Sequence, residues 1–323
     1  MNADDQRWMG AALALAERGV GRTAPNPAVG CVIVRDDIVV GRGWTQPGGR
    51  PHGEAMALAQ AGPLARRATV YTSLEPCAHV SHRGPSCTDS LIAAGVSRVV
   101  AAVIDPDSRT AGHGMARLAA AGIQVTSGIC DAAARSVAAG FFSRIVLGRP
   151  RITLKLALSL DGQVAMASGQ SKWITGAVAR NHAHLLRARS DMILVGRGTW
   201  EADSPSLDVR LPGLEDRGPR VAVLSSSLKA NGRAERLDSI AAICAVFGVN
   251  DLLVEGGAVV GASLLNADLV DRLIIYRAPI LLSGGLNLGD IGLTDIAASH
   301  GRWRASENRQ LGIDRLEIYE RTR

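Results

Sequence analysis

Aromatic residues are the scarcest class in this chain, at only 3% of its 323 positions. Hydrophobic residues nevertheless reach 47%, so the cores must be built mainly from Ala, Val, Leu and Ile. No apolar run approaches the ~20 residues that a membrane-spanning helix needs. The opening stretch MNADDQRWMG is acidic and lacks the apolar segment of a secretion signal. We therefore expect a globular protein of two ordinary domains, located in the cytoplasm.

Cysteine and lysine are also few. The five cysteines are odd in number and scattered, which argues against a disulfide framework and for a reducing compartment. Only three of the 36 basic residues are lysines, so Lys155, inside the apolar stretch ITLKLALSL, invites a functional role. A snorkelling side chain at a strand end is the plain alternative. The net charge of +6 is spread along the chain, as suits a small anionic substrate.

Turn residues divide the chain near position 148, where VLGRPR carries Gly and Pro. We predict two domains, 1–147 and 148–323, each with alternating helices and strands. This alternation favours layered sheets with helices on their faces. In the first domain we expect helices at 4–19, from 53, 87–94, 113–121 and 131–143, a hairpin at 29–43, and strands at 68–74, 97–104 and 123–128. In the second we expect strands at 151–160, 191–196, 220–225, 251–257, 271–281 and 311–320, and helices at 177–189 and after 257.

Four residues in two short stretches carry the pattern of a metal site: His52 and Glu54 in PHGEAMALAQ, and Cys77 and Cys87 in LEPCAHVSHRGPSC. Zinc prefers tetrahedral N/S ligation, and a catalytic site leaves one position for water. The histidine and the two cysteines supply three ligands, and Cys87 opens a predicted helix that favours its thiolate. Glu54 is placed to act as a separate proton shuttle. This is the arrangement of the zinc base deaminases.

Two other interpretations stay open at this point. A closed structural zinc would need a fourth ligand, which His79 or His82 could supply. A nucleic-acid base deaminase would suit the sequence pI of about 9.4. Against that second interpretation stand the wide gap between the two cysteines and the absence of a basic stripe.

Over nearly all of its first 130 residues the chain resembles the bifunctional deaminase–reductase family of riboflavin biosynthesis. That family deaminates 2,5-diamino-6-ribosylamino-4(3H)-pyrimidinone 5′-phosphate and then reduces its ribosyl group to a ribityl chain with NADPH. The resemblance implies a cytidine-deaminase-like three-layer α/β/α domain with one zinc ion. It rests on the stretches TAPNPAVGCVIV, PHGEA, TSLEPCAH, GPSC, LIAAGVSRVV, DPD and AAGI.

The resemblance also assigns substrate contacts in this domain to Asn26, His79 and Arg83. For Asn26, a rigid turn between two prolines is an equally good explanation. The chain departs from the family pattern in three ways. Gly53 stands where alanine is usual, Thr45 stands where a histidine is usual, and the loop between the two cysteines is one residue longer.

The second half resembles the reductase domain of the same family, which has a dihydrofolate-reductase-like α/β fold. The matching stretches are KLALSLDGQVAMASGQSKWITG, LLRARSDMILVGRGTWEADSPSLDVR and LVEGG. Glycines at the strand ends suit backbone approach to phosphates. The resemblance implies that NADPH contacts Ala157, Trp173, Thr199, Asp203, Ser225 and Gly257. It implies that the substrate contacts Lys155, Ser171, Arg187, Leu207, Arg210 and Glu255.

One departure concerns residues 223–252, which are fewer than the family usually has between these two strands. We expect part of the cofactor-binding sheet, a strand and a helix, to be trimmed here. The alternative function is therefore a working deaminase joined to a reductase-like domain without catalysis. The family also implies a homo-oligomer of two or four chains.

Overall fold

The computed structural model describes residues 3–79, 84–228 and 232–323. The chain divides into two compact units, Met1–Gly148 and Arg149–Arg323. Among the described residues, no helix combines the length and the apolar character needed to cross a membrane.

The first unit is a five-stranded sheet between two layers of helices. The strands are β1 (Gly30–Arg35), β2 (Ile38–Trp44), β3 (Thr69–Thr72), β4 (Arg98–Ala101) and β5 (Gln124–Ser127), and the helices are α1 (Ala3–Ala16), α2 (Gly53–Ala61), α3 (Cys87–Ala94), α4 (His113–Ala120), α5 (Asp131–Val137) and α6 (Ala139–Leu147). The strand order is β2-β1-β3-β4-β5, with β1 antiparallel to both of its neighbours and the others parallel. One core, around Met9 and Phe141, fills one face of the sheet, and another, around Ala57 and Leu91, fills the other. The predicted three-layer α/β/α architecture is therefore confirmed.

The second unit is an eight-stranded sheet with four helices. The strands are β6 (Arg151–Leu158), β7 (Met192–Gly196), β8 (Arg220–Leu224), β9 (Glu235–Leu237), β10 (Asp251–Val254), β11 (Arg272–Arg277), β12 (Trp303–Leu311) and β13 (Asp314–Arg321), and the helices are α7 (Ala177–Ala188), α8 (Arg197–Asp203), α9 (Ile240–Cys244) and α10 (Ala258–Asn266). The strand order is β12-β13-β11-β6-β10-β7-β8-β9. The six strands from β11 to β9 run parallel, and the hairpin β12–β13 adds two strands that are antiparallel to each other. Buried residues of β6 alternate with half-buried ones, because successive residues of a strand face opposite sides of the sheet.

Three predictions of secondary structure need correction. Residues 223–252 do contain a strand and a helix, although β9 has three residues and α9 five. The single strand predicted at 311–320 is a hairpin, since β12 precedes β13. The helix predicted at 131–143 is two helices, α5 and α6, because Ala138 leaves the helical backbone region with ψ at 17°.

Candidate active sites

The predicted zinc ligands converge in the first unit. His52 immediately precedes α2, Cys87 is the first residue of α3, and Cys77 follows β3. His52 Nδ1 lies 3.3 Å from Cys87 Sγ and 3.6 Å from Cys77 Sγ. The three ligand atoms all lie within 4.8 Å of one another, which is the spacing of donors around a single ion.

Charge at this cluster favours a cation. The hydrogen bond from Cys87 lowers the pKa of Cys77, and His52 contributes to the same shift, whereas the hydrogen bond with Cys77 and burial raise the pKa of Cys87. The backbone N–H of Cys87 also donates to Cys77 Sγ at 3.3 Å. A thiolate at Cys77 is therefore stabilised by the start of α3, and thiolates are the form in which cysteine binds zinc.

Glu54 lies beside the ligands with an unsatisfied oxygen. Its side chain is buried, and its Oε2 atom has no hydrogen-bond partner among the described residues. Burial raises the pKa of Glu54, while nearby His52 lowers it in part. A buried carboxylate oxygen without a donor is costly unless a ligand completes it. Glu54 therefore lies where a proton shuttle is needed, and its Oε2 atom can accept a proton from a ligand.

Two glycines let α2 approach the sheet closely enough to place His52. A Cβ atom on Gly43 would lie 2.3 Å from the carbonyl oxygen of Gly53. A Cβ atom on Gly53 would lie 2.7 Å from the carbonyl oxygen of Val29. Glycine at position 53 therefore has a structural reason. The backbone at the start of α2 packs against β2 and the residue before β1, and a side chain at this position would collide with that backbone.

Asn26 contacts one of the ligands, and His79 contacts Thr110. The Asn26 amide nitrogen donates to Gly49 O at 2.8 Å and lies 3.3 Å from His52 Nε2. His79 Nδ1 lies 3.5 Å from Thr110 Oγ1. Arg83 and His82 lie outside the described residues, so the structure does not test the role predicted for either.

Thr45, which replaces the usual histidine, has a structural role in the sheet. It is buried, and its hydroxyl accepts the backbone N–H of Val29 at 3.0 Å. The side chain therefore fastens the end of β2 to the residue before β1.

The donor set fits a catalytic zinc ion. Three ligands, one nitrogen and two sulfurs, leave one tetrahedral position for water. Within residues 3–79, 84–228 and 232–323, no fourth His, Cys, Asp or Glu joins the cluster, and His79 is turned toward Thr110. Glu54, whose Oε2 atom has no partner among the described residues, lies beside the same three residues, so the residues present match an open site better than a closed structural one.

A second charged cluster lies on the sheet of the second unit. The Arg187 guanidinium, on α7, binds the Glu255 carboxylate through Nε at 2.7 Å and Nη2 at 3.0 Å. Lys155, on β6, places Nζ 3.8 Å from Glu255 Oε2 and 5.8 Å from the ring centroid of Tyr276. Burial raises the pKa of Glu255, but Lys155 and Arg187 outweigh it and hold the pKa below its ordinary value. Arg187 is thus a largely buried partner of Glu255, with its side chain 14% exposed.

Backbone groups after β7 and β10 form a cradle suited to phosphate. The two strands are neighbours, and a Cβ atom on Gly257 would lie 3.4 Å from Thr199 Oγ1. Gly257 precedes α10, and no side chain caps that helix among the described residues. The first N–H groups of such a helix attract anions. This geometry fits the pyrophosphate of a dinucleotide.

The other predicted cofactor residues lie on β6, in the loop before α7, and on α8. Ala157 lies on β6, two residues from Lys155, and so shares its face of the sheet. Trp173 is 68% exposed, and the Arg180 guanidinium lies 4.8 Å from its ring centroid. Asp203, the last residue of α8, binds Lys172 Nζ at 2.7 Å.

Ser225 and Leu207 are placed differently from what their predicted roles suggest. The Ser225 hydroxyl accepts the N–H groups of Ser227 and Leu228, so it holds the turn after β8. Leu207 is buried in the apolar cluster that includes Trp200, so its side chain belongs to the core and only its backbone can face a substrate. Arg210 and Ser171 are exposed.

Sequence reasoning overlooked two residues that position these sites. Glu75 is buried, and its carboxylate accepts three backbone N–H groups from the segment 105–115. Its place in LEPC, two residues before Cys77, was the available signal. His184 lies on α7 one turn before Arg187 and contacts the loop that carries Arg210.

Comparison with known proteins matches each unit to a family. Residues 2–103 match the cytidine and deoxycytidylate deaminase zinc-binding region. Residues 150–291 match the RibD C-terminal domain. The chain is 37% identical to the riboflavin biosynthesis protein RibD of Aquifex aeolicus, over 98% of both chains. It belongs to the RibD family.

Other RibD proteins are equally similar along the whole chain. RibD of Escherichia coli is 38% identical, with 96% of this chain and 97% of that protein covered. The solved structure of Acinetobacter baumannii RibD, form 1, superposes with a TM-score of 0.89 at 35% identity, over 99% of both chains. A deaminase/reductase of Thermotoga maritima gives a TM-score of 0.89 at 28% identity, over 98% of this chain and 99% of that one.

Membership of the RibD family confirms the predicted bifunctional character. The chain joins a zinc-dependent deaminase domain to an NADPH-dependent reductase domain and acts in riboflavin biosynthesis. The dihydrofolate-reductase-like class predicted for the second domain agrees with its parallel sheet and its family match.

Proposed function

We propose that the first unit deaminates 2,5-diamino-6-ribosylamino-4(3H)-pyrimidinone 5′-phosphate. The second unit then reduces the ribosyl group of the product to a ribityl chain. The observation that carries the first step is the convergence of His52, Cys77 and Cys87 beside the unsatisfied oxygen of Glu54.

In the deaminase, His52, Cys77 and Cys87 hold the zinc ion. When bound, zinc lowers the pKa of water and supplies a nucleophile at neutral pH. Glu54 accepts a proton from the water that adds to the amine-bearing ring carbon, and it returns a proton to the departing amine. Because Glu54 is buried, no bulk water competes for its Oε2 atom.

Substrate contacts in this unit belong to Asn26, His79 and Arg83. Asn26 lies within 3.3 Å of the ring of His52, so its amide is next to the place where the pyrimidine must lie. His79 follows Cys77 by two residues, which keeps it close to the metal ligands along the chain. Arg83 suits the 5′-phosphate because a guanidinium can bind two oxygens at once.

In the reductase, the cofactor contacts Ala157, Trp173, Thr199, Asp203, Ser225 and Gly257. When bound, NADPH supplies the hydride that reduces C1′ of the ring-opened sugar. Lys155 and Glu255 position the sugar, and the buried ion pair with Arg187 fixes Glu255. Ser171, the backbone of Leu207 and the Arg210 guanidinium bind the rest of the substrate. The protein aligns the reacting carbon, and the cofactor does the chemistry.

Two predictions accompany this proposal: that the protein works in the cytoplasm, and that it forms a homo-oligomer of two or four chains.

A two-stage assay tests the proposal. Purified protein is analysed for zinc and given the pyrimidine phosphate, first without and then with NADPH. We expect one zinc per chain, ammonia release in the first stage, and NADPH oxidation only after it. Zinc-loaded protein that releases no ammonia would contradict the deaminase assignment. Ammonia release without saturable NADPH binding would support a reductase-like domain that lacks catalysis.

A further inference from the structure

Two side chains on one face of α7 form hydrogen bonds with the backbone of the loop 206–210. His184 and Arg187 are three residues apart, so their side chains leave the helix on the same side. Arg187 Nη1 donates to Asp208 O at 3.0 Å. His184 Nδ1 lies 3.1 Å from Asp208 O and 3.3 Å from Arg210 N. The side chain of Leu207 anchors the same loop in the core.

A single imidazole nitrogen cannot both donate to Asp208 O and accept from Arg210 N–H. Asp208 O already accepts a hydrogen bond from Arg187, whereas His184 is the only acceptor that the described residues offer to Arg210 N–H. The tautomer with a bare Nδ1 therefore satisfies more groups. Burial lowers the pKa of His184, and the nearby Arg187 lowers it further, so the imidazole is neutral at physiological pH, as this arrangement requires.

The loop then aims the Arg210 side chain outward. The Asp208 carboxylate accepts from Ser206 Oγ at 2.6 Å and lies 3.1 Å from Arg210 Nε. The Arg210 side chain remains 63% exposed, so its two outer nitrogens face solvent. Its position is thus set by its own backbone N–H at one end and by Asp208 at the other.

We infer that His184 is a positioning residue for the reductase substrate. By accepting the N–H of Arg210 it holds this guanidinium where it can bind the phosphate of the substrate. The inference rests on the proposed role of Arg210 in substrate binding.

The test replaces His184 by Asn, Gln and Leu. An asparagine oxygen can occupy the position of Nδ1, whereas glutamine reaches the position of Nε2. We expect His184→Leu and His184→Gln to raise the KM for 5-amino-6-(5-phosphoribosylamino)uracil about 3- to 10-fold, as expected for the loss of one hydrogen bond. His184→Asn should recover most of this. The KM for NADPH and the ammonia release of the same chains serve as internal controls and should not change.

A double-mutant cycle with Arg210→Ala decides whether the effect passes through Arg210. If it does, His184→Leu raises KM in the wild-type background and adds nothing in the Arg210→Ala background. Equal effects in both backgrounds, or rescue by Gln as good as by Asn, would overturn the inference. If Arg210→Ala raises KM and His184→Leu does not, only the inference fails. If Arg210→Ala leaves KM unchanged, the proposed role of Arg210 fails and the inference fails with it.

Discussion

Two buried glutamates of the deaminase unit should respond in opposite ways to the same change, carboxylate to amide. Glu54 is 3% exposed and Glu75 is 2% exposed, so burial does not distinguish them. Their hydrogen bonds do. Oε2 of Glu54 has no partner among the described residues, whereas Glu75 accepts N–H groups from Asp105, Gly112 and Met115 at 3.2, 2.9 and 3.1 Å.

We expect Glu54→Gln to slow ammonia release by about 10²- to 10⁴-fold, the usual contribution of a general acid–base group. That range corresponds to about 2.7–5.5 kcal/mol in the barrier. Zinc content should stay at one per chain, because Glu54 is not a ligand. Stability should change little, because no donor to Oε2 is lost.

We expect Glu75→Gln to lower stability instead. The amide replaces one of the two accepting oxygens by a donor that faces one or two backbone N–H groups, which costs about 1–3 kcal/mol. Ammonia release by the folded protein should remain within about tenfold of wild type, since Glu75 acts only through the placement of the 105–115 segment.

The assay measures ammonia release, zinc content and urea unfolding on the same preparations. Reduction of supplied 5-amino-6-(5-phosphoribosylamino)uracil by NADPH serves as the internal control. The reasoning is refuted if Glu54→Gln retains more than about a tenth of the rate or loses its zinc. It is also refuted if Glu75→Gln abolishes deamination while unfolding at the wild-type urea concentration.

Three further predictions concern ion pairs and a buried carboxylate. Arg187→Met should destabilise the reductase unit by about 1–3 kcal/mol, because Glu255 loses its two hydrogen bonds to the guanidinium and keeps only the more distant Lys155; NADPH oxidation should be lost at lower urea than ammonia release. Asp314→Ala should lower the free energy of unfolding by about 1–3 kcal/mol, since Gly176 N–H loses its acceptor at 2.7 Å, and Asp314→Asn should lower it less. The hydrogen bond from Arg98 lowers the pKa of Asp5 below its ordinary 3.8. The stability that this pair contributes is therefore complete above pH 3.8 and disappears as the pH falls through the folded-state pKa. The free energies of urea unfolding of Asp5→Asn and wild type should differ at pH 7 and converge in acid.

The sequence was most informative where one residue type can do one job. A histidine and a cysteine at helix starts, with a second cysteine after a strand, predicted a metal site before any fold was known, and the structure brings the three together. Continuous apolar runs predicted β1 and β7, which are buried on both faces, and an apolar stretch that alternates between buried and half-buried residues predicted β6. Strand β12 was missed for the same reason, since its side chains are almost all exposed and carry no pattern.

Other features depended on contacts between distant parts of the chain. The buried position of Leu207 follows from its packing with Trp200 and Val223, which no local pattern shows. Glu75 accepts N–H groups that lie 30, 37 and 40 residues further along the chain. His184 contacts a loop that follows α8, 26 residues further on. A backbone N–H has no signature in the sequence, so the partner of such a group becomes visible only in the folded chain.

The carboxyl-terminal hairpin shields the reductase sheet from association with other chains. Strand β12 is polar and charged, and it covers β13, whose Leu316 and Ile318 are buried. Removal of the last ten residues would take away β13 and leave β11, with Ile274 and Tyr276, as the open border of the sheet. Exposed apolar sheet edges pair with strands of other chains, so forms of this protein that lack β13 should precipitate.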